Sequence, residues 1–213
     1  MRKATQTAAA WLGITAGAAG IEHGIFEILR GNTRPEGLVI SSIGPPCNPE
    51  EVWNVCEPAL TIVPNFLITG ILAVFLGLMV LLWSAFFLKR KGGGFVLMLL
   101  SVLLLLFGGG FFPPLIGLVG GAAGLSIRRP VRKRSLGPLT RFAARLWPWP
   151  LVIFLVWLLA QWLVGYFFNE FMMRAIWFGL AMILAPLLLS VSTASAQDLF
   201  NTNRSGAREG RKE

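Results

Sequence analysis

One short stretch of the chain combines residue types that could bind protons or cations. Glu22, His23 and Glu27 lie close together within an otherwise apolar run over residues 8–29. Ionisable groups within a membrane span are costly and usually face a cavity, the bundle interior or one another. Histidine exchanges a proton near neutral pH, so the stretch predicts a proton- or cation-responsive site. The alternative is that the three side chains make structural hydrogen bonds only, with Glu27 reaching water at the outer interface.

Helical spacing places two of these residues beside a row of glycines. A rotation of about 100° per residue puts His23 and Glu27 on one stripe, about 120° wide, with four glycines. The glycines of the stripe are Gly13, Gly17, Gly20 and Gly24. They form two successive pairs of small residues four apart, a pattern that lets another helix approach closely. Glu22 falls on the opposite side, so we expect this helix to be surrounded by protein.

Other polar residues within apolar runs are few. Asn65 and Thr69 lie one helical turn apart near the start of the second run, and we expect them to line the same outward-facing cavity as His23. The chain has a single histidine, which excludes haem held by two histidines of this chain. Acids are missing from the later runs apart from Glu170 at a boundary. We therefore predict no metal, no other cofactor and no catalytic constellation, and hence no enzyme.

The elements that position these residues follow from composition. Hydrophobic residues make up 55% of the 213 positions, charged residues make up 14%, and the mean hydropathy is +0.68. A soluble domain carries about 25% charged residues, so the composition predicts an all-α polytopic helical bundle in a membrane. One transmembrane domain is expected over residues 1–200. Its six predicted spans are residues 8–29, 61–88, 93–107, 111–127, 151–168 and 175–193.

The third and fourth spans form a short hairpin in this prediction. Residues 92–127 number 36, or about 54 Å of continuous helix, slightly less than two crossings of a roughly 30 Å hydrocarbon core. The glycines at 108–110 with Pro113 and Pro114 supply a break between two arms. A thin hairpin and a re-entrant loop both return the chain to the side from which it came, and the hairpin is the prediction.

The positive charges predict the orientation. Of the 19 Lys and Arg residues, 16 fall in segments assigned to the inside, and only Arg30, Arg34 and Arg174 fall outside. This distribution predicts both termini in the cytoplasm, with loop 30–58 outside the plasma membrane. The inner cations are expected to meet anionic lipid heads, and nucleic acid is not an expected partner. Residues 201–213 are predicted to be a disordered cytoplasmic tail.

The first run also permits another interpretation. Residues 1–18 begin with basic residues, continue with an apolar stretch and end in Ala16, Gly17 and Ala18. This order resembles a signal peptide with a small-residue cleavage site. Cleavage after Ala18 would leave five spans. Glycines interrupt the apolar stretch and the helical pattern continues to Leu29, so a retained first span is the prediction.

The outer loop contains the only two cysteines, Cys47 and Cys56. Their spacing, among several prolines and on the side assigned to an oxidising compartment, predicts a structural disulfide. The alternatives are free thiols and a redox-active pair. The latter is disfavoured because redox pairs usually have two residues between the cysteines.

Three classes of function compete. The first is a non-enzymatic accessory or assembly subunit that contacts a membrane-protein partner, or a second copy, through the glycine stripe and the outer loop. The second is a small proton- or cation-linked transporter or channel that uses Glu22 and His23. The third, a membrane enzyme, is least favoured because acids, bases and nucleophiles are scarce. The first class is the prediction.

Overall fold

The computed structural model describes residues 1–43, 53, 57–131 and 136–209. This part of the chain is mostly helical, with eight helices and a two-stranded antiparallel sheet. The helices are α1 (Lys3–Leu29), α2 (Phe66–Leu82), α3 (Gly93–Leu106), α4 (Phe112–Gly124), α5 (Pro138–Leu146), α6 (Trp149–Phe167), α7 (Asn169–Arg174) and α8 (Ile176–Glu209). The strands are β1 (Val39–Ser41) and β2 (Pro58–Leu60). The prediction of a helical chain is confirmed.

Three helices are long and apolar enough to cross a membrane. They are Phe66–Phe87, in which a π-helical turn continues α2, Trp149–Phe167 and Ile176–Arg204. Their 22, 19 and 29 residues span about 33, 29 and 44 Å, against a hydrocarbon core of roughly 30 Å. These helices support a membrane protein, while the count of six spans and the orientation stay predictions.

Helices α3 and α4 form two short antiparallel arms. Their 14 and 13 residues give lengths of about 21 and 20 Å, so neither arm alone matches the thickness of a typical hydrocarbon core. The arms approach closely, since a Cβ added to Gly94 would lie 2.5 Å from the carbonyl oxygen of Gly121. The turn between them contains Gly108 and Gly110 with φ of +88° and +77°, a conformation that favours glycine.

Helix α1 lies at the centre of the bundle, against α2, α4 and α8. Its glycines pack against neighbours in the same chain. A Cβ added to Gly17 would lie 2.5 Å from the carbonyl oxygen of Gly77, and one added to Gly24 would lie 2.7 Å from that of Gly70. Gly13 lies against Ser84 and Gly20 against Leu104. In the described structure this stripe packs against α2 and α3 of the same chain. A contact of the stripe with another protein stays a prediction.

Helix α8 extends well past its predicted end at residue 193. It continues to Glu209 with Pro186 inside it, so residues 201–209 are helical rather than disordered. Asp198 lies on this extension and is buried against the start of α1. The polar end of α8 therefore has a docking partner within the chain, which a hydropathy pattern cannot show. Residues 210–213 lie outside the described part.

Candidate functional site

A buried polar cluster lies at the C-terminal end of α1. His23 and Glu27 are on successive turns and are only 2% and 0% exposed. Both side chains point at the glycine turn between α3 and α4. A Cβ added to Gly110 would lie 2.5 Å from Nε2 of His23, and one added to Gly108 would overlap the Glu27 carboxylate. The absence of side chains in this turn is thus what makes room for the two polar groups.

The hairpin of β1 and β2 covers this cluster. Its register pairs Ser41 with Pro58, which sets Ser42 and Glu57 side by side at the end nearer the connecting loop. The Ser42 hydroxyl lies 3.1 Å from Oε1 of Glu27 and 3.2 Å from the carbonyl oxygen of His23. Oε2 of Glu57 lies 3.3 Å from Nε2 of His23. Two residues distant in sequence therefore complete the polar surroundings of His23 and Glu27.

Several buried polar atoms in this region have no hydrogen-bond partner among the described residues. Within the described residues, Nδ1 of His23, Oε2 of Glu27 and Oε1 of Gln161 are buried without a hydrogen-bond partner. Most buried polar atoms in proteins are hydrogen-bonded, so each exception calls for a functional or solvent explanation. His23 and Gln161 both line one cavity, which supplies a common explanation.

This cavity has a volume of about 280 Å³ and lies between α1, α4, α6 and α8. Its polar end is formed by Glu22, His23, Glu57 and Gln161. Its apolar part includes Ala18, Ile116, Leu158 and Ile183. The volume is close to the lower end of the usual range for ligand pockets, roughly 300–1,000 Å³. An apolar pocket with a few polar groups at one end is the general form of a small-molecule site.

Trp53 inserts from the outer loop between two helices and also lines the cavity. A Cβ added to Gly165 of α6 would lie 2.5 Å from Cδ1 of its ring, and one added to Gly179 of α8 would lie 2.9 Å from Cη2. The backbone N–H of Trp53 donates to Oδ1 of Asn169 at 2.7 Å. The wedge position of Trp53 depends on two glycines more than 100 residues away.

The predicted site residues do not all come together. Glu22 and His23 line the cavity, and Glu27 lies one turn farther on, beside Gly108. Asn65 lies apart from them. It precedes α2, its Oδ1 accepts from the N–H of Ile68 at 3.1 Å, and its amide nitrogen donates to Asn32. Asn65 caps the start of α2, which explains its position. The expectation that Asn65 shares the cavity is not met.

Thr69 is likewise separate from the cavity. Its Oγ1 lies 2.6 Å from Oγ1 of Thr61, just after β2, and both threonines are buried. This pair joins the hairpin of β1 and β2 to the start of α2. The expected contribution of Thr69 to the site of His23 is therefore replaced by a structural contact.

Asp198 is a buried acid with hydrogen bonds to both of its carboxylate oxygens, and the sequence did not predict its role. Asp198 accepts hydrogen bonds from the N–H groups of Ala4 and Thr5 at 3.0 and 2.9 Å, and from the Thr5 hydroxyl at 2.7 Å. Arg2, at the start of α1, makes no side-chain cap. An acid at a helix start satisfies free N–H groups and complements the helix dipole. The lack of a capping residue before α1 is the sequence signal that could have indicated such a partner.

Comparisons with protein-family models, with curated protein sequences and with solved structures find no match to this chain. The functional argument therefore depends on the geometry of the described residues. Among these, no group of three or more His, Cys, Asp or Glu side chains is arranged to hold a metal ion. Cys47 and Cys56 lie outside the described residues, so their disulfide stays a prediction.

Proposed function

We propose that the chain is a plasma-membrane protein with six spans, both termini in the cytoplasm and loop 30–58 outside. Contacts at one end of the bundle support an even number of crossings. The N–H of Arg2 donates to the carbonyl oxygen of Ile127, just after α4, and Asp198 of α8 binds the start of α1. The start of α1, the end of α4 and the end of α8 thus lie at the same end of the bundle, which is the end richest in Lys and Arg.

Cysteine labelling in intact cells tests this topology. In a chain with Cys47→Ser and Cys56→Ser, a membrane-impermeant maleimide should label Glu36→Cys without permeabilisation. Arg90→Cys, on the exposed segment between α2 and α3, should react only after permeabilisation. Labelling of Arg90→Cys in intact cells would contradict the proposed orientation.

We further propose that the protein acts without catalysis, as an interaction subunit whose outer surface contacts a partner membrane protein. The observation that carries this proposal is a shallow groove beside the outer hairpin. Leu38 and Ile62 line this groove and are more than half exposed, and Arg34 and Glu36 lie at its edge. The two charges indicate a surface that faces water rather than lipid. Apolar side chains clustered on such a surface mark an interaction site.

The hairpin that presents this groove is firmly attached to the bundle. The N–H of Gly108 donates to the carbonyl oxygen of Leu60 at 2.8 Å, and that of Ile62 donates to Leu106 at 3.1 Å. A surface ordered before binding loses less conformational entropy when a partner docks. The matching partner surface would carry apolar side chains flanked by an acid opposite Arg34 and a base opposite Glu36.

The test is gentle extraction from native membranes at endogenous expression, followed by mass spectrometry of co-purifying proteins. We expect a stoichiometric partner with the unmodified protein and its loss with the double variant Leu38→Ser/Ile62→Ser. Leu139→Ser, an exposed leucine on α5, is the matched control and should retain the partner. Purification of the unmodified protein alone, or equal recovery of the partner with both variants, would contradict the proposal.

The cavity favours a second candidate, proton- or cation-linked transport through Glu22 and His23. Toward the inside, however, the bundle is closely packed, since a Cβ added to Gly120 would lie 3.1 Å from the carbonyl oxygen of Ala9. Transport therefore requires a second conformation that opens inward. In reconstituted vesicles under a pH gradient, Glu22→Gln should abolish flux of the coupled cation while the protein stays folded. Undiminished flux in this variant would exclude the role of Glu22.

A further inference from the structure

The polar end of the cavity carries two carboxyl groups that could bind a cation. Glu22 and Glu57 are partly exposed, and both line the cavity together with His23. None of the described residues that line the cavity is Lys or Arg. The contact between Glu57 and His23 leaves Glu22 as a second carboxylate with no cation at salt-bridge distance among the described side chains. A positively charged guest would therefore complement this end of the cavity.

Aromatic rings accompany the two carboxylates. Trp53, Trp162 and Phe112 line the cavity from the outer loop, from α6 and from α4. The faces of tryptophan and phenylalanine attract ammonium groups, most strongly when the cation is removed from water. Carboxylates combined with several aromatic rings suit an organic ammonium group better than Ca²⁺ or Mg²⁺, which prefer a shell of oxygen ligands.

Polar atoms without partners identify the hydrogen bonds that a guest could supply. Gln161 is 7% exposed, and its Oε1 has no partner among the described residues. This oxygen can accept a hydrogen bond from a protonated amine. The indole Nε1 of Trp53 is also buried without a described partner and can donate to an oxygen near the amine. A guest with an N–H donor and an adjacent acceptor would satisfy both.

The remaining wall of the cavity is apolar and reaches the lipid-facing side of the bundle. Ile116, Leu158 and Ile183 surround its inner part. Leu159 lines the cavity and is also three-quarters exposed on α6, one of the helices long enough to span a membrane. An apolar chain or ring attached to the amine would fill the inner part. Such molecules also accumulate in bilayers, so access between α6 and its neighbours needs no aqueous channel.

We propose that the cavity between α1, α4, α6 and α8 binds a compact amphipathic organic cation. Its ammonium group would lie between Glu22, Glu57 and the aromatic rings, and its apolar part among Leu158 and Ile183. This inference is independent of the outer groove, and it requires binding rather than transport. It therefore stands or falls separately from the proposed interaction with a partner protein.

Purified full-length protein in detergent tests the proposal, with hexyltrimethylammonium as the probe. This cation has no N–H group and no acceptor, so it tests recognition by the carboxylates, the aromatic rings and the apolar wall, and not the hydrogen bonds of Gln161 and Trp53. Heptanoate, which has a similar apolar chain and an opposite charge, is the matched control ligand. We expect a saturable rise in the unfolding midpoint and a change in tryptophan fluorescence with the cation only. Similar effects of both compounds, or no saturation with the cation, would overturn the proposal.

Variants then locate the binding site. Glu22→Gln/Glu57→Gln should weaken binding of hexyltrimethylammonium by about tenfold or more, because both nearby charges are lost. Glu170→Gln, which changes an exposed acid paired with Arg174 outside the cavity, should bind as the unmodified protein does. Ala18→Leu tests the site without altering its charge. The larger side chain would fill part of the cavity, so we expect it to abolish binding of hexyltrimethylammonium. Unchanged affinity in either Ala18→Leu or the double variant would overturn the assignment.

Discussion

Two acids are buried at opposite ends of α1, and their surroundings differ. Asp198 reaches the start of the helix from α8 and accepts three hydrogen bonds with its two oxygens. Glu27 lies near the end of the helix and has a contact to Ser42 through Oε1 only. Its Oε2 has no hydrogen-bond partner in the described part of the chain and lies against Gly108.

This difference separates stability from function along a single helix. An acid at a helix start is favoured by the free N–H groups and by the dipole, whereas an acid at the end has neither advantage. Asp198 therefore stabilises the bundle. Glu27 is held by the shape of the glycine turn, next to His23 and the cavity, and we interpret the C-terminal end of α1 as the functional one. Four predictions test this contrast, in order of decreasing effect.

Asp198→Ala should have the largest effect. It removes the acceptor of Ala4, Thr5 and the Thr5 hydroxyl at a buried helix start. We expect a loss of about 3 kcal/mol in the free energy of unfolding, since hydrogen bonds to charged groups contribute roughly 1.5–3 kcal/mol. Asp198→Asn keeps one acceptor oxygen and should lose less. Thermal unfolding in detergent measures both, and equal stability of Asp198→Ala and the unmodified protein would refute the capping role.

Gly108→Ala should have the second largest effect. Its φ of +88° disfavours any other residue, and the new methyl group would overlap the Glu27 carboxylate. We expect a cost of about 2 kcal/mol, combining backbone strain with the displaced side chain. Combination with Glu27→Ala should cost less than the two single changes added together, because the overlap is then relieved. Strict additivity in this double-mutant cycle would show that Gly108 does not position Glu27.

Glu27→Gln should change stability by less than about 1 kcal/mol, because the amide retains an oxygen that accepts from Ser42. The contrast with Asp198→Ala is what matters here, since both changes remove a buried carboxylate. Equilibrium unfolding under identical detergent conditions provides the comparison. A loss as large as that of Asp198→Ala would mean that Glu27 has a structural role of equal weight.

Glu57→Gln should have the smallest effect, about 0.5 kcal/mol or less, because the amide retains an oxygen that can accept from Nε2 of His23. Binding of hexyltrimethylammonium should nevertheless weaken severalfold. Such a separation of stability from binding would sharpen the contrast between the two ends of α1. A variant that unfolds much more easily, with unchanged binding, would reverse the interpretation.

Much of this architecture follows from local sequence patterns. Hydropathy predicted helices over α2, α6 and α8, and the glycines at 108–110 predicted the break between α3 and α4. Helical spacing predicted one stripe that carries Gly17, Gly24, His23 and Glu27, and the structure places these residues against α2 and the glycine turn. These features depend on periodicity and backbone conformation, which are written into short stretches of chain.

Contacts between distant segments were not predictable in the same way. The glycine stripe of α1 packs against Gly70 and Gly77 of α2. Two glycines within a long apolar run do not show from the sequence which helix they contact. Asn65 was assigned to the cavity because of its depth, whereas local capping of α2 determines its position. Asp198 is 194 residues from Ala4, so the reason for a long α8 becomes visible only in three dimensions. The cavity needs four helices and Trp53 at once.

The most direct test of the central claim is the unfolding midpoint of three purified proteins with and without hexyltrimethylammonium. The unmodified chain should show a rise in midpoint with the cation. Asp198→Asn should unfold at a lower temperature and keep the full rise, whereas Glu22→Gln/Glu57→Gln should keep its midpoint and lose the rise. The opposite result would contradict this account: Asp198→Asn would lose the rise in midpoint and the double variant would keep it. Binding would then lie at the N-terminal end of α1, where Asp198 binds.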